Sequence, residues 1–346
     1  MKNNKLLLNA RRLIFRNATL IFIVALAIFV FIKMPLFFTK TSLLNLCSQA
    51  SVFGIVAIGL TMIILMGHID ISTGAQVYLC GVIGVRMFYA TQSLAAAITV
   101  SILVGMLVGT INGYLIGKVG IPDMVLTMST QFICRGIGNL IIGVDAVINV
   151  SDPVFQSIGQ GKTLSVPNCT WFFILVFFLG WILLKKTKFG RYIYAIGNDA
   201  DALNAAGVNV LAVKMGAYII TGFLCGLAGL INVSRLGGST FGLAVGMEFT
   251  CIAACVAGGA SLYGGVGKMP GTLLGIVVIA SVNQLLRLFN VSNFLYDLVW
   301  GIVVLLTVSM DVLKHHQIKY EKDNGYLYPG SGKSIVLLTN MFGLSK

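Results

Sequence analysis

Charge is what this 346-residue chain has least of. Only 10% of its residues are Asp, Glu, Lys or Arg, against about 25% in a soluble globular protein. So few charged side chains cannot cover a water-facing surface, and a hydrophobic share of 57% excludes intrinsic disorder. Acids are scarcest, 11 against 24 basic residues, and there are three histidines. His315 and His316 sit together in a polar tail, and His68 has no second His or Cys at ligand spacing. No metal site is therefore expected, and no Ser-His-Asp or Cys-His set can be assembled, so the chain is not expected to be an enzyme. The seven cysteines stand singly, without the Cys-x-x-Cys pair of zinc or redox sites. Cys251 and Cys255 share a helix face, as small packing residues do. Six prolines beside 40 glycines exclude collagen.

What the chain has instead is long apolar runs, with a mean hydropathy of +0.93. A membrane crossing takes about 20 mainly apolar residues. Ten crossings can be placed, at 13–32, 43–66, 74–90, 93–117, 122–142, 169–185, 211–231, 248–263, 270–289 and 294–310. The expected fold is an all-α polytopic membrane protein. The first run follows Lys2, Lys5, Arg11, Arg12 and Arg16 and leads into Lys33-Met34-Pro35 rather than a small-residue cleavage site, so it reads as an uncleaved span. With residues 1–12 in the cytoplasm, Lys and Arg favour the inner ends by about three to one. Both termini are then cytoplasmic, 13–311 is the membrane domain and 312–346 a cytoplasmic tail. The net charge of +13 records that orientation, not affinity for nucleic acid.

Two polar, glycine-rich segments interrupt the apolar pattern: Gly67-His68-Ile69-Asp70-Ile71-Ser72-Thr73-Gly74, and 258–267, which begins Gly258-Gly259-Ala260-Ser261 and ends Gly264-Gly265-Val266-Gly267. Either they are broken helices lining a solute route, since irregular backbone at membrane depth needs protein or a wet cavity to satisfy it, or they are short loops at the cytoplasmic surface. An ionised group at a helix centre costs about 2.5–3.5 kcal/mol on insertion scales. Asp70, Arg135, Glu248 and Asp297 are therefore informative, with Gln49, Asn112 and Gln131 as neutral company. The candidate translocation path is Gln49, Asp70, Ser72, Asn112, Gln131 and Glu248. The competing readings are helix-to-helix hydrogen bonding and snorkelling, the latter favoured for Asp297, Arg86 and Arg287 near outer ends, while Arg135 could pin neighbouring helices. Gly105, Gly109, Gly113 and Gly117 recur at four-residue spacing and read as a helix-packing ridge.

Segment 186–210 is long and polar for an inner loop, and Gly207 ends its alanine-rich stretch as a helix stop. A short surface helix there suits docking of a soluble partner through Phe189, Gly190, Arg191, Asp201, Ala202 and Gly207. It is otherwise a connector that happens to be helical. In the tail, Gly332-Lys333-Ser334 has the look of the end of a phosphate-binding loop, but Leu327 stands where that loop's first Gly belongs. No nucleotide or other cofactor is expected on this chain.

Several stretches together resemble the permease subunits of ATP-binding-cassette importers for ribose and related simple sugars. They are Gly59-Leu60-Thr61 through Gly74, Asn112-Gly113, Pro122 to Thr127, Thr187 to Gly197, Ala206-Gly207-Val208-Asn209, and Ile252 to Gly259 followed by Ser261-Leu262 and Gly264-Gly265. The similarity runs from about Leu43 to Asp311. It implies a pair of permease chains, identical or paralogous, with partner ATPase chains that carry ATP and Mg. It also implies an extracytoplasmic sugar-binding protein that delivers a monosaccharide to the permease pair in the bacterial inner membrane. The segment after the sixth crossing would be the ATPase-docking element. Two departures stand out: Ala200-Asp201-Ala202 replaces the family's Glu-Ala-Ala, and His68 replaces the usual second glycine before Ile69-Asp70. Ribose, galactose, xylose or a sugar-derived signal such as autoinducer-2 all fit, and an ion-coupled secondary carrier is the rival class.

Overall fold

The computed structural model describes residues 34–143, 147–292, 295, 298–299, 301–309 and 311–312. The first span, the N-terminal segment, Asp297 and the tail beyond 312, with His315 and His316, lie outside the described residues. Helices dominate: α1 (Lys40–Leu65), α2 (Thr73–Thr91), α3 (Leu94–Tyr114), α4 (Asp123–Ile142), α5 (Pro153–Gly159), α6 (Asn168–Lys186), α7 (Lys188–Asn198), α8 (Ala200–Ala205), α9 (Val210–Leu236), α10 (Met247–Ala257) and α11 (Met269–Leu288). Residues 301–309 are also helical. The starts are set by local chemistry. Thr39, Ser93, Asp152, Thr187, Asp199 and Asn209 each accept a bond from a free N–H of the first turn that follows.

Six helices are long and apolar enough to cross a membrane: α1, α3 with the π-helical turn that extends it to Val119, α4, α6, α9 and α11. The chain is a multi-pass membrane protein. The crossing expected at 248–263 is instead the 11-residue α10, because Gly258 and Gly259 end the helix and Gly259 takes a φ of +91°. The all-α expectation also needs a small correction. Residues 147–149 (β1) pair antiparallel with 238–240 (β4), and 162–163 (β2) pair with 166–167 (β3).

α1 is the central post. It is apolar on every side and continuously buried from Ala50 to Leu65, as a helix enclosed by others must be. The glycine ridge of α3 packs on α9. A Cβ on Gly105 would strike Gly222 O, one on Gly109 would strike Tyr218 O, and one on Gly113 would lie 2.9 Å from Met215 Cα. Cys251 and Cys255 donate to Phe53 O and Ala57 O of α1 at 3.3 and 3.4 Å, so they pack α10 onto the post.

The connections sort to two ends. At one end Gly265 N bonds Leu65 O at 2.8 Å and Tyr194 Oη donates to Gly267 O at 2.9 Å. At the other, β1 meets β4, and Ser234 Oγ donates to Phe155 O at 2.7 Å. The two segments expected as breaks are both at the first end.

Candidate functional site

The break between α1 and α2 is held by side chains rather than by backbone ladder bonds. Asp70, 1% exposed, uses one carboxylate oxygen to accept from Ser72 N at 2.9 Å and Ser72 Oγ at 2.5 Å. That hydroxyl then accepts from Gln76 Nε2 at 2.8 Å and Asn112 Nδ2 at 3.1 Å. Asn112 Oδ1 in turn accepts from Thr130 Oγ1 at 2.7 Å. Three elements, the break, α3 and α4, are thereby tied by a chain of bonds in which each buried partner depends on the next.

The first turns of α4 hold the same break from another side. Asp123 Oδ2 accepts from Ile69 N at 2.7 Å and lies 3.3 Å from His68 Nδ1, and Ile71 N donates to Thr127 Oγ1 at 3.2 Å. His68–Asp123 is the one contact within 4 Å between a basic and an acidic side chain among the described residues. Neither Asp123, Thr127 nor Thr130 stood out in the sequence. Their signal is a Pro122-Asp123 helix start followed by polar residues at 127, 130 and 131, one face of a 3.6-residue helix. Asp311, also missed, holds the second break. Its carboxylate accepts from Leu262 N at 2.9 Å and Ser261 Oγ at 3.3 Å.

Further along α4, Gln131 Nε2 donates to Glu248 Oε1 at 3.0 Å. Glu248 lies in the first turn of α10 and is buried against Gly74, where a Cβ would strike its Oε2. A carboxylate there complements the helix dipole. Arg135 donates to Leu243 O and Ala244 O at 3.3 and 3.1 Å and lies 5.9 Å from the centre of the Tyr78 ring, so it pins the 243–244 turn to α4. Arg86 has a like role, donating to Ile141 O and Ile142 O at the C-terminus of α4. Of the candidate path residues, Asp70, Ser72 and Asn112 form one cluster and Gln131 and Glu248 another close beside it. Gln49 is with neither, being 16 residues from the break end of α1. Among the described residues no three His, Cys, Asp or Glu side chains converge to hold a metal ion.

The 186–210 segment forms two helices, α7 and α8, rather than one. α7 is amphipathic and buries Gly190, Ile193 and Ile196, while α8 buries nothing. Phe189 packs on α9, where a Cβ on Gly216 would lie 2.9 Å from its ring. Arg191, Asp201, Ala202 and Gly207 are exposed, and Gly207 closes α8 with a φ of +82°. Gly197 touches both breaks, since a Cβ on it would strike Leu65 O and Gly265 N.

The buried bonds give an expected result. Asn112→Leu leaves Thr130 Oγ1 without its acceptor and Ser72 Oγ without one donor, a loss of about 1–3 kcal/mol per orphaned group. The thermal midpoint of the purified chain should fall by several degrees, with insertion intact. An unchanged midpoint would show that the break does not depend on Asn112.

Apolar spanning helices around two interrupted segments with polar ties fit a multi-pass membrane protein of the kind that carries solutes. A family model described as "Branched-chain amino acid transport system / permease component" matches residues 42–308, and the chain belongs to that family. A ribose import permease protein of Haemophilus influenzae is 35% identical over 314 residues, covering 90% of this chain and 97% of its own. One of Bacillus subtilis is 36% identical over 292 residues, 83% and 89% of the two chains. An L-arabinose ABC transporter permease protein of Azospirillum brasilense is 31% identical over 286 residues, 83% and 84%. No solved structure matches the chain. The resemblance read from the residues therefore holds: the chain is a permease subunit of the sugar ABC importer type, and not itself an enzyme.

Proposed function

We propose that this chain forms the translocation path of an ATP-driven importer for a monosaccharide such as ribose, galactose or xylose, in the bacterial inner membrane with both termini cytoplasmic. The observation that carries the reading is the contact of α7 with both breaks. ATPase chains, which hold ATP and Mg, would dock on the exposed residues Arg191, Asp201, Ala202 and Gly207. Any displacement of α7 would then reach the Leu65–Gly67 and Gly264–Gly265 backbones through Gly197, with Phe189 and Gly190 holding α7 to α9 and α6. On this reading the end that carries both breaks, α7 and α8 is the cytoplasmic one, where ATPase chains would reach it.

The path runs beside α4, whose outer face presents Met128, Phe132, Ile133 and Ile137, and a second permease chain, identical or paralogous, faces it. Gln131 and Arg135, partly exposed on α4, offer passing hydroxyl groups a weak polar station, with buried Glu248 behind Gln131. Asp70, Ser72 and Asn112 hold the break that must move, and Gln49 serves the opposite mouth. Such a path needs little affinity, since an extracytoplasmic binding protein selects the sugar before delivery.

The test is affinity purification of the tagged chain from its own membranes, followed by uptake assays in vesicles loaded with ATP. An ATPase in comparable amount and ATP-dependent ribose uptake are the expected outcome. Ribose uptake is to be compared with galactose, xylose, autoinducer-2 and a branched-chain amino acid. Uptake that follows an ion gradient with no ATPase present would make the chain a secondary carrier. Asp201→Arg, on the exposed face of α8, should keep insertion normal, reduce the co-purified ATPase and lower uptake several-fold. Full uptake by that variant would remove α8 from the docking surface.

A further inference from the structure

At the end opposite the breaks, α1, the 159–167 connection, α9 and α11 border an open-sided cavity of about 340 Å³. Three basic side chains line it, Lys162, Arg235 and Arg287, and no acid does; the polar remainder includes Asn45, Ser48 and Gln160. None of the three cations is ion-paired with a described residue. Arg235 donates through Nη2 to Asn232 Oδ1 at 3.3 Å, and its Nε is buried without any acceptor. A guanidinium in that setting has lost part of its water and gained one neutral partner. This is costly unless an anion completes the shell. Helix C-termini supply part of the compensation, since Arg235 and Arg287 lie in the last turns of α9 and α11. A half-charge at a helix end does not fill a cavity or occupy a buried Nε.

Depth narrows the choice of anion. Trp171, in the first turn of α6, is 42% exposed and donates its indole N–H to Thr163 O at 3.3 Å, next to Lys162. Tyr89, 44% exposed, donates to Asn149 O at the same end of the molecule. Exposed Trp and Tyr with anchored polar tips mark the headgroup level of a bilayer, where guanidinium and ammonium groups meet the phosphates of anionic lipids.

We propose that the Lys162–Arg235–Arg287 cavity binds a phosphate-bearing anion, supplied by the headgroup of an anionic phospholipid or by free inorganic phosphate. Arg235 contributes its buried Nε and Arg287 and Lys162 close over the phosphate oxygens, while Asn45 and Gln160 complete its polar surround. The site lies at the opposite end from the docking helices, and it does not depend on which solute is carried.

The test compares thermal unfolding of the full chain in three settings: neutral phosphatidylcholine nanodiscs, discs containing phosphatidylglycerol, and neutral discs titrated with inorganic phosphate. Anionic lipid is expected to raise the midpoint by about 3–6 °C, and Arg287→Gln and Lys162→Gln, both at exposed positions, should remove most of that rise. Arg235→Gln should do the same if it folds; the other two variants carry the test if it does not. A rise with phosphate alone keeps the site and assigns the free ion as its source. Equal midpoints in all three settings overturn the proposal, as does a lipid-induced rise that survives both exposed substitutions. Loss of binding-protein attachment in Arg287→Gln without any lipid or phosphate effect would also overturn it, making the cavity a protein contact.

Discussion

Gly197→Val should abolish most uptake while leaving the chain in the membrane at its normal level. Gly197 stands in the last turn of α7, where the helix meets both interrupted segments. A Cβ there would strike Leu65 O and Gly265 N, and would lie 3.1 Å from Gly264 C. The obstacles are backbone atoms. Gly264 takes a φ of +85°, and its own built Cβ would lie 2.8 Å from Gly67 N and 2.9 Å from Gly197 Cα. Three glycine backbones thus meet with no room for a side chain. The Gly265 N–Leu65 O bond at 2.8 Å would have to open before valine could enter, separating α7 from the breaks it is proposed to move. Helix insertion does not depend on this contact, because the apolar spans are unaltered. Uptake should fall by about tenfold or more, the scale of a lost coupling free energy of ~1–3 kcal/mol. Membrane level by immunoblot and ATPase retention on purification are the controls. Normal uptake by Gly197→Val would mean that motion reaches the breaks by another contact.

A second large effect is expected at the α3–α9 crossing. Gly222→Val should prevent recovery of folded protein. The built Cβ of Gly222 strikes Gly105 O and that of Gly105 strikes Gly222 O, so each helix leaves no space for the other's side chain. Gly226 repeats the arrangement, with Ser101 O at 2.6 Å. Overpacking a core costs about 1–3 kcal/mol when side chains can yield. Here backbone faces backbone, so the helices must part and lose packing along the whole crossing. Total stabilities are only about 5–15 kcal/mol. Monodisperse protein in mild detergent should be lost, while Gly136→Val, at a helical glycine whose Cβ would meet nothing within 4 Å, should purify normally. Equal yields from the two variants would remove the crossing as a determinant of the fold.

These two positions differ in how far they were legible beforehand. The four-residue spacing of Gly105, Gly109, Gly113 and Gly117 announces a packing face without any structure, because glycine at that period leaves a groove along one side of a helix. Its partner on α9, Gly222 and Gly226, lies more than a hundred residues away, and nothing local selects it. The breaks were visible as Gly, His and Asp within apolar runs. What restrains them was not, since Asp123, Thr127, Thr130 and Asp311 act from remote helices. The full crossing expected at 248–263 ran through the interruption that begins at Gly258-Gly259, where α10 stops after 11 residues.

By itself the sequence determined that this chain lives in a membrane, where its six long apolar helices lie and which segments depart from helix. Those properties follow from hydropathy and backbone preference, which each run of about 20 residues carries within itself. Only the tertiary structure decided that Asp70, Ser72 and Asn112 form one tie, that Gln49 stands apart, that Gly197 touches both breaks and that Lys162, Arg235 and Arg287 share a cavity. In lipid the hydrophobic effect does not choose which helix faces which, because tails and Leu side chains are equally apolar. The choice falls to close packing and individual hydrogen bonds between distant residues.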